Sequence, residues 1–186
     1  DSEIKIKSFV DTAPIMEKYW AMKSGLGYIG KNSCFIVPQQ GSYFFLSGII
    51  TNKEIESDTS FEKDLCGKCR RCIESCPTGA IEEDRILNAK KCISYLSIEH
   101  KNELAENSPE WKNWIWGCDI CQQVCPHNKF AIDCENADFS LLLQIEELMD
   151  LKLWESEEEF IEKYSGTSIK RGGYERIIRN IRKVGE

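Results

Sequence analysis

The chain has 186 residues, 41% of them apolar and 30% charged, with a formal charge of −7 and ten cysteines. That is enough to bury a core in one or two compact units, and the acidic balance argues against a surface built throughout to grip nucleic acid. No apolar run approaches the roughly 20 residues of a membrane-spanning helix, and no signal peptide is visible in a chain that begins at Asp1 rather than Met.

Residues 3–10 alternate, with Ile4 and Ile6 on one face, and read as a short strand ending at Asp11. Pro14 suits a helix start, and Ile15, Met16, Tyr19 and Met22 recur at helical spacing until Gly25. The stretch Gly25-Leu-Gly27-Tyr-Ile-Gly30 matches G-x-G-x-x-G but lacks the preceding strand and following helix of a dinucleotide site. Its glycines are expected to permit a turn or a close backbone approach. Residues 33–37 and 42–50 read as two strands joined by Pro38-Gln-Gln-Gly41. The second, with Phe44, Phe45, Leu46, Ile49 and Ile50, is apolar enough to be covered on both faces. The polar, acidic stretch 51–65 reads as a linker.

Next comes Cys66-Gly-Lys-Cys69-Arg-Arg-Cys72-Ile-Glu-Ser-Cys76-Pro77. These separations fit neither helix nor strand periodicity. They fit the C-x2-C-x2-C-x3-C-P run of bacterial ferredoxins, in which three cysteines hold one [4Fe–4S] cluster and the fourth crosses to another. A second cluster is therefore expected, and Cys118-Asp-Ile-Cys121-Gln-Gln-Val-Cys125-Pro126 supplies three thiols toward it. One ligand must come from elsewhere, and Cys92 lies between the runs. Zinc, the rival for C-x2-C pairs, favours two pairs across a spacer rather than four cysteines in a row. Thiolate-bound clusters point to a reducing compartment, the cytoplasm, and a disulfide framework is disfavoured.

Residues 88–99 look helical and carry Cys92. Trp111, Trp114 and Trp116 crowd before the second run, either as a dry wall around a cluster or as ordinary core. Beyond Cys134 the chain turns leucine-rich and acidic (Leu141, Leu142, Leu143, Leu148), then gives two or three helices. From Ser168 onward, six basic residues (Lys170, Arg171, Arg176, Arg179, Arg182, Lys183) stand against two acidic ones, a solvated helix face or a local phosphate-contacting patch. Cys34 reads as a small buried hydrophobe. His100 and His127 match no ligand pattern, and His127 is expected to pack near a cluster.

A double-cluster module implies electron transfer, and some sixty residues ahead of it imply something that exchanges those electrons. Phe9-Val-Asp11-Thr-Ala-Pro14, Ser24-Gly-Leu-Gly-Tyr-Ile-Gly-Lys31-Asn32, Gly41-Ser-Tyr-Phe-Phe-Leu46 and Ile50-Thr-Asn52 resemble the epoxyqueuosine reductase family. The likeness continues through Cys76-Pro-Thr-Gly-Ala80, Lys91-Cys92-Ile-Ser-Tyr-Leu-Ser-Ile-Glu99 and Trp116-Gly-Cys-Asp-Ile-Cys-Gln-Gln-Val-Cys-Pro126.

The resemblance implies an α+β chain: part of an α/β cobalamin-binding domain (1–60), a double [4Fe–4S] ferredoxin-like module (61–135) and a short helical C-terminal segment (136–186). It implies reduction of epoxyqueuosine to queuosine in tRNA, with cobalamin and two [4Fe–4S] clusters as cofactors. The partners implied are a tRNA with a queuosine-type anticodon loop and an unidentified electron donor, with no membrane and a monomeric enzyme. It assigns Cys66, Cys69, Cys72 and Cys125 to one cluster and Cys76, Cys92, Cys118 and Cys121 to the other. The family's proton donor falls on Asp11, since epoxide opening leaves an alkoxide that a carboxylic acid in an apolar pocket can protonate. Phe35, Leu46 and Ser94 become cobalamin contacts, the first and second against the expected strand pair. The family carries more of its cobalamin-binding domain ahead of this start and, in many members, helical repeats after the motif matching Arg179-Asn180. Two other readings compete: a ferredoxin-like carrier without substrate chemistry, and another cobalamin-dependent reductase such as a reductive dehalogenase.

Overall fold

The computed structural model describes residues 3–136 and 156–185, so the leucine-rich stretch at 141–148 lies outside the described residues. In chain order the elements begin with β1 (Ile6–Phe9), α1 (Glu17–Lys23), β2 (Tyr28–Ile29), β3 (Phe35–Ile36) and β4 (Gly48–Thr51). There follow α2 (Arg71–Glu74), β5 (Ile81–Glu83), β6 (Ile86–Leu87), α3 (Ile93–Ile98) and α4 (Ile120–Gln123), then α5 (Glu157–Lys163), α6 (Ser168–Gly172) and α7 (Tyr174–Gly185). Two compact units interleave along the chain: Asp1–Ser75, Ile81–Leu87 and Ile120–Ile132 form one, and Cys76–Ala80, Asn88–Asp119 and Asp133–Glu186 the other. Among the described residues no helix is long and apolar enough to cross a membrane.

In the first unit β1 pairs antiparallel with β4, Phe9 opposite Gly48. A Cβ on Gly48 would fall 2.3 Å from the Phe9 ring, so a larger residue there would require that ring to move. The helix α1 starts at Glu17, a turn later than Pro14, and Phe61 N–H donates to Met22 O at its C-terminal end (3.0 Å). Thus the stretch 51–65, expected as a free linker, is in part packed down, with the Phe61 ring stacked on Tyr28 at 5.8 Å.

The strand pairing differs from expectation. Residues 33–37 do not pair with 42–50; β3 pairs back onto β2, Tyr28 opposite Ile36 and Ile29 opposite Phe35. The cause lies in the glycine loop. A Cβ on Gly27 would sit 2.2 Å from Ile36 O, so glycine alone lets the incoming chain lie against β3 and take its edge. Gly41, at φ 88°, then folds the chain back onto Val37. Of the apolar run only 48–51 is strand, and it is not covered on both faces: Phe45 is 78% and Ile49 68% exposed.

In the second unit the expected helix over 88–99 breaks at Cys92. A single tight turn covers Ala89–Lys91, Cys92 is extended at φ −74° and ψ 120°, and α3 begins after it. Trp111 is buried with Ile93 and Leu96, and Trp114 and Cys118 pack against that cluster. Trp116 packs against a second cluster of Ile115, Phe160, Tyr164, Ile177, Ile178 and Ile181. Core packing therefore accounts for the tryptophans, although one core also receives a cysteine.

The last helix, α7, is amphipathic, with Ile177, Ile178 and Ile181 buried at helical spacing. Its Asn180 is fully buried and donates to Ser97 O and Ile115 O, both at 2.9 Å. Arg179 reaches Leu96 O, His100 O and Asn102 O at 2.8, 3.0 and 2.6 Å, placing a cation on the C-terminal end of α3. Arg176 donates to Ile98 O and Arg171 pairs with Glu99. Half of the basic tail is thus engaged in holding α3, not in forming an open phosphate patch. Asn180→Ala strands two buried carbonyls and is expected to cost about 2–4 kcal/mol, read as a lowered midpoint of denaturant unfolding with unchanged slope.

Candidate active site and cluster cavity

In the first unit, Cys66, Cys69 and Cys72 come from one loop, bent at Gly67 (φ 49°) and continued by α2, while Cys125 follows α4. All four line one cavity of about 60 Å³ together with Lys31, Asn32, Ile36 and His127. Burial pushes the Cys72 thiol up to about 11, with Cys121 and Cys66 adding to the shift, and burial also raises Cys125. Thiols so placed become thiolate ligands only where a strongly positive centre offsets the cost. The all-sulfur donor set bordering a common space fits an iron–sulfur cluster. His127 lines the cavity with its Nε2 3.1 Å from the Tyr28 hydroxyl, as expected for a neighbour to the thiols.

Of the other four cysteines, Cys76, Cys92 and Cys118 belong to the second unit and Cys121 to the first, on α4; all four are partly buried. The Cys-Pro-Thr-Gly-Ala turn aims its own donors at its sulfur, with Ala80 N–H 3.3 Å and the Thr78 hydroxyl 3.6 Å from Cys76 Sγ.

Beside the cysteine cavity the first unit holds an open groove of about 330 Å³, lined by Asp11, Lys18, Cys34, Phe35, Ser42, Phe44, Phe45, Leu46 and Gln122. Asp11, Phe35 and Leu46 therefore come together, although no strand pair carries them: Phe35 is in β3 and Leu46 in a loop. Successive strand residues face opposite ways, so Phe35 faces the groove while Ile36, its neighbour, lines the cysteine cavity. This β3 is a partition one strand thick. Asp11 is exposed and adopts φ 47°, a left-handed conformation uncommon outside glycine though eased for aspartate. The apolar wall of Phe35, Phe44 and Leu46 with a polar rim suits a flat macrocycle such as a corrin. Ser94 lies in the second unit, part-buried on α3. Cys34 is partly exposed at the groove rather than a buried hydrophobe.

Sequence reasoning gave no role to the charges that brace the cavity. Lys31 is 7% exposed; its ammonium donates to Gly67 O at 2.7 Å and pairs with Asp84 at 3.2 Å. Arg85, at the β5–β6 turn, donates to Ile29 O (2.9 Å) and Asp64 (2.7 Å), and Asp64 accepts from Cys66 N–H at 2.9 Å. Asn128 accepts from Ser42 N–H (2.6 Å) and donates to Gln122 O (2.7 Å), tying the second cysteine run to the groove. The only sequence signal was a lysine directly after a glycine-rich loop.

The 4Fe-4S double cluster binding domain family matches residues 65–128. Epoxyqueuosine reductase of Cyclobacterium marinum is 40% identical over 98% of this chain and 58% of its own length. A crystal structure of epoxyqueuosine reductase with an epoxyqueuosine-modified tRNA-Tyr stem loop superposes with a TM-score of 0.85 at 35% identity, covering 97% of this chain and 48% of that one. The enzyme from Bacillus subtilis, with its catalytic aspartate loop swung out of the active site, gives 0.83 at 32% identity, covering 99% and 49%. The chain spans about half the length of the curated relatives it matches.

The Arg85 guanidinium holds the Asp64 carboxyl below the usual carboxylate range. A depressed folded value contributes stability above the ordinary carboxylate pKa, lost as pH falls through the folded value. In the native protein, amide-exchange protection at Cys66 should therefore drop on acidification below that range. In Arg85→Ala the step should be absent and protection already lower, by about 1 kcal/mol for these half-exposed partners.

Proposed function

We propose that this chain, similar along nearly its whole length to epoxyqueuosine reductases, is the cluster-bearing part of an enzyme that reduces epoxyqueuosine to queuosine in tRNA. The observation that carries this reading is the two-sided arrangement about β3: Asp11, Phe35 and Leu46 around one groove, Cys66, Cys69, Cys72 and Cys125 around the cavity behind it. An electron carrier without substrate chemistry has no use for a carboxyl on a strained loop over an apolar groove.

In this reading Cys66, Cys69, Cys72 and Cys125 hold one [4Fe–4S] cluster and Cys76, Cys92, Cys118 and Cys121 the other. Phe35 and Leu46 form the wall against which cobalamin would lie, with Ser94 a further contact. When bound, cobalamin supplies the electrons that open the epoxide, and the clusters supply the one-electron steps that restore it. Asp11 gives its proton to the oxygen released as the C–O bond breaks, an alkoxide being too basic to leave unaided. The enzyme would work in the cytoplasm as a monomer, taking electrons from a separate donor and binding the anticodon stem loop of its tRNA.

The test uses the full-length gene product with clusters and cobalamin loaded. Asp11→Asn should lower turnover on epoxyqueuosine-containing tRNA by 10²-fold or more, with iron content and the cob(II)alamin electron paramagnetic resonance spectrum unchanged. Turnover within a few-fold of the native protein removes Asp11 from the mechanism. A separate check concerns the ligands. Iodoacetamide on the iron-loaded protein should label exposed Cys134 and spare the eight assigned cysteines, all of which should label after iron is chelated; labelling of any one beforehand strikes it from the set.

A further inference from the structure

Tyr28 is 3% exposed, clamped by the stacked Phe61 ring and by its β pairing with Ile36. A buried phenol needs partners for its hydroxyl, and here there are two. The oxygen is 3.1 Å from His127 Nε2 and 3.9 Å from Cys66 Sγ. As a free thiol Cys66 donates to this oxygen; as a thiolate it can only accept, and with hydrogen on Nε2 the imidazole donates to the phenolic oxygen and leaves the phenol proton for the sulfur. A phenol ordinarily titrates at about 10, so the hydroxyl carries a proton to donate at neutral pH.

The two cysteine sets differ in where their donors come from. Cys76 Sγ is served from within its own turn, by Ala80 N–H and Thr78. Cys66 Sγ faces a side chain 38 residues upstream, on the hairpin that also carries Phe35 toward the groove. We propose that Tyr28 donates a hydrogen bond to the cluster-bound Cys66 thiolate and so raises the reduction potential of that cluster. Negative charge on the sulfur grows when the cluster takes an electron, so a donor fixed on it stabilises the reduced form more than the oxidised one. The phenol proton stays on oxygen throughout, and one electron enters the cluster with no bond made or broken. Tyr28 acts through Cys66, as a positioning residue. The proposal rests on the two-cluster reading above.

The experiment is a reductive titration of the full-length, cluster-loaded protein with dithionite and mediators, followed by electron paramagnetic resonance, on native protein and Tyr28→Phe. The variant keeps the ring and its stacking and removes one hydroxyl. One of two midpoints should fall so that the reduced-to-oxidised ratio at fixed potential drops about tenfold, 59 mV for one electron. The other midpoint should not move, and both proteins should carry two clusters' worth of iron. Full iron with both midpoints unmoved overturns the proposal and leaves Tyr28 as packing. Native protein that cannot hold two clusters' worth of iron overturns the cluster reading instead. Should Tyr28→Phe lose iron, resonance Raman of the native protein in H2O and D2O decides: a shift in a cysteinyl Fe–S stretch supports the exchangeable O–H donor, and identical spectra overturn it.

Discussion

Four part-buried thiols share one small cavity in the first unit, and the iron coordination proposed for them is the interaction on which the rest of that unit would depend. Paired strands of two to four residues do not hold themselves together in water. The unit's fully buried apolar side chains are few, chiefly Ala21, Tyr28, Phe35, Ile36 and Ile81. Both apolar core clusters, by contrast, belong to the second unit. What the first unit has instead is a set of polar ties ending on the cysteine loops: Lys31 on Gly67 O, Asp64 on Cys66 N–H, Asn32 on Cys121 O. Such ties fix the thiols in place; binding of metal then becomes folding free energy.

The second unit is organised the opposite way. Its apolar helices make a conventional core, and Arg176 and Arg179 of its last helix donate to backbone carbonyls at the end of α3. Cys92, extended between a tight turn and α3, interrupts an otherwise helical stretch. Electrostatics therefore serves the metal-facing loops in one unit and helix termini in the other.

Much of this was legible in the sequence where chemistry imposes a spacing. Two cysteine runs announce cubane clusters because nothing else wants thiols at those intervals, and the motifs around Asp11, Phe35 and Leu46 identified three residues that do meet at one groove. The failures share a cause. The apolar run 42–50 looked like a covered strand because hydrophobicity does not say which edge is free, and that was decided by the closeness of Gly27 to Ile36. The basic tail looked like a patch because the carbonyls that take Arg176 and Arg179 lie 77 to 83 residues away. Tyr28 and Lys31 were invisible for the same reason: their partners are brought by the fold.

The thin wall between groove and cavity has a consequence for how charge moves. Tunnelling rates fall steeply with the amount of non-bonded space an electron must cross, and here Phe35 and Ile36 are consecutive residues of β3 facing opposite ways. A centre bound on either side of that strand would be joined to the other through covalent backbone, and both side chains are buried. Asp11, the proposed proton donor, sits elsewhere, on an exposed loop. In the proposed reaction, electron and proton would thus reach the groove by separate routes, and the loop could admit a large substrate without lengthening the path that the electron takes.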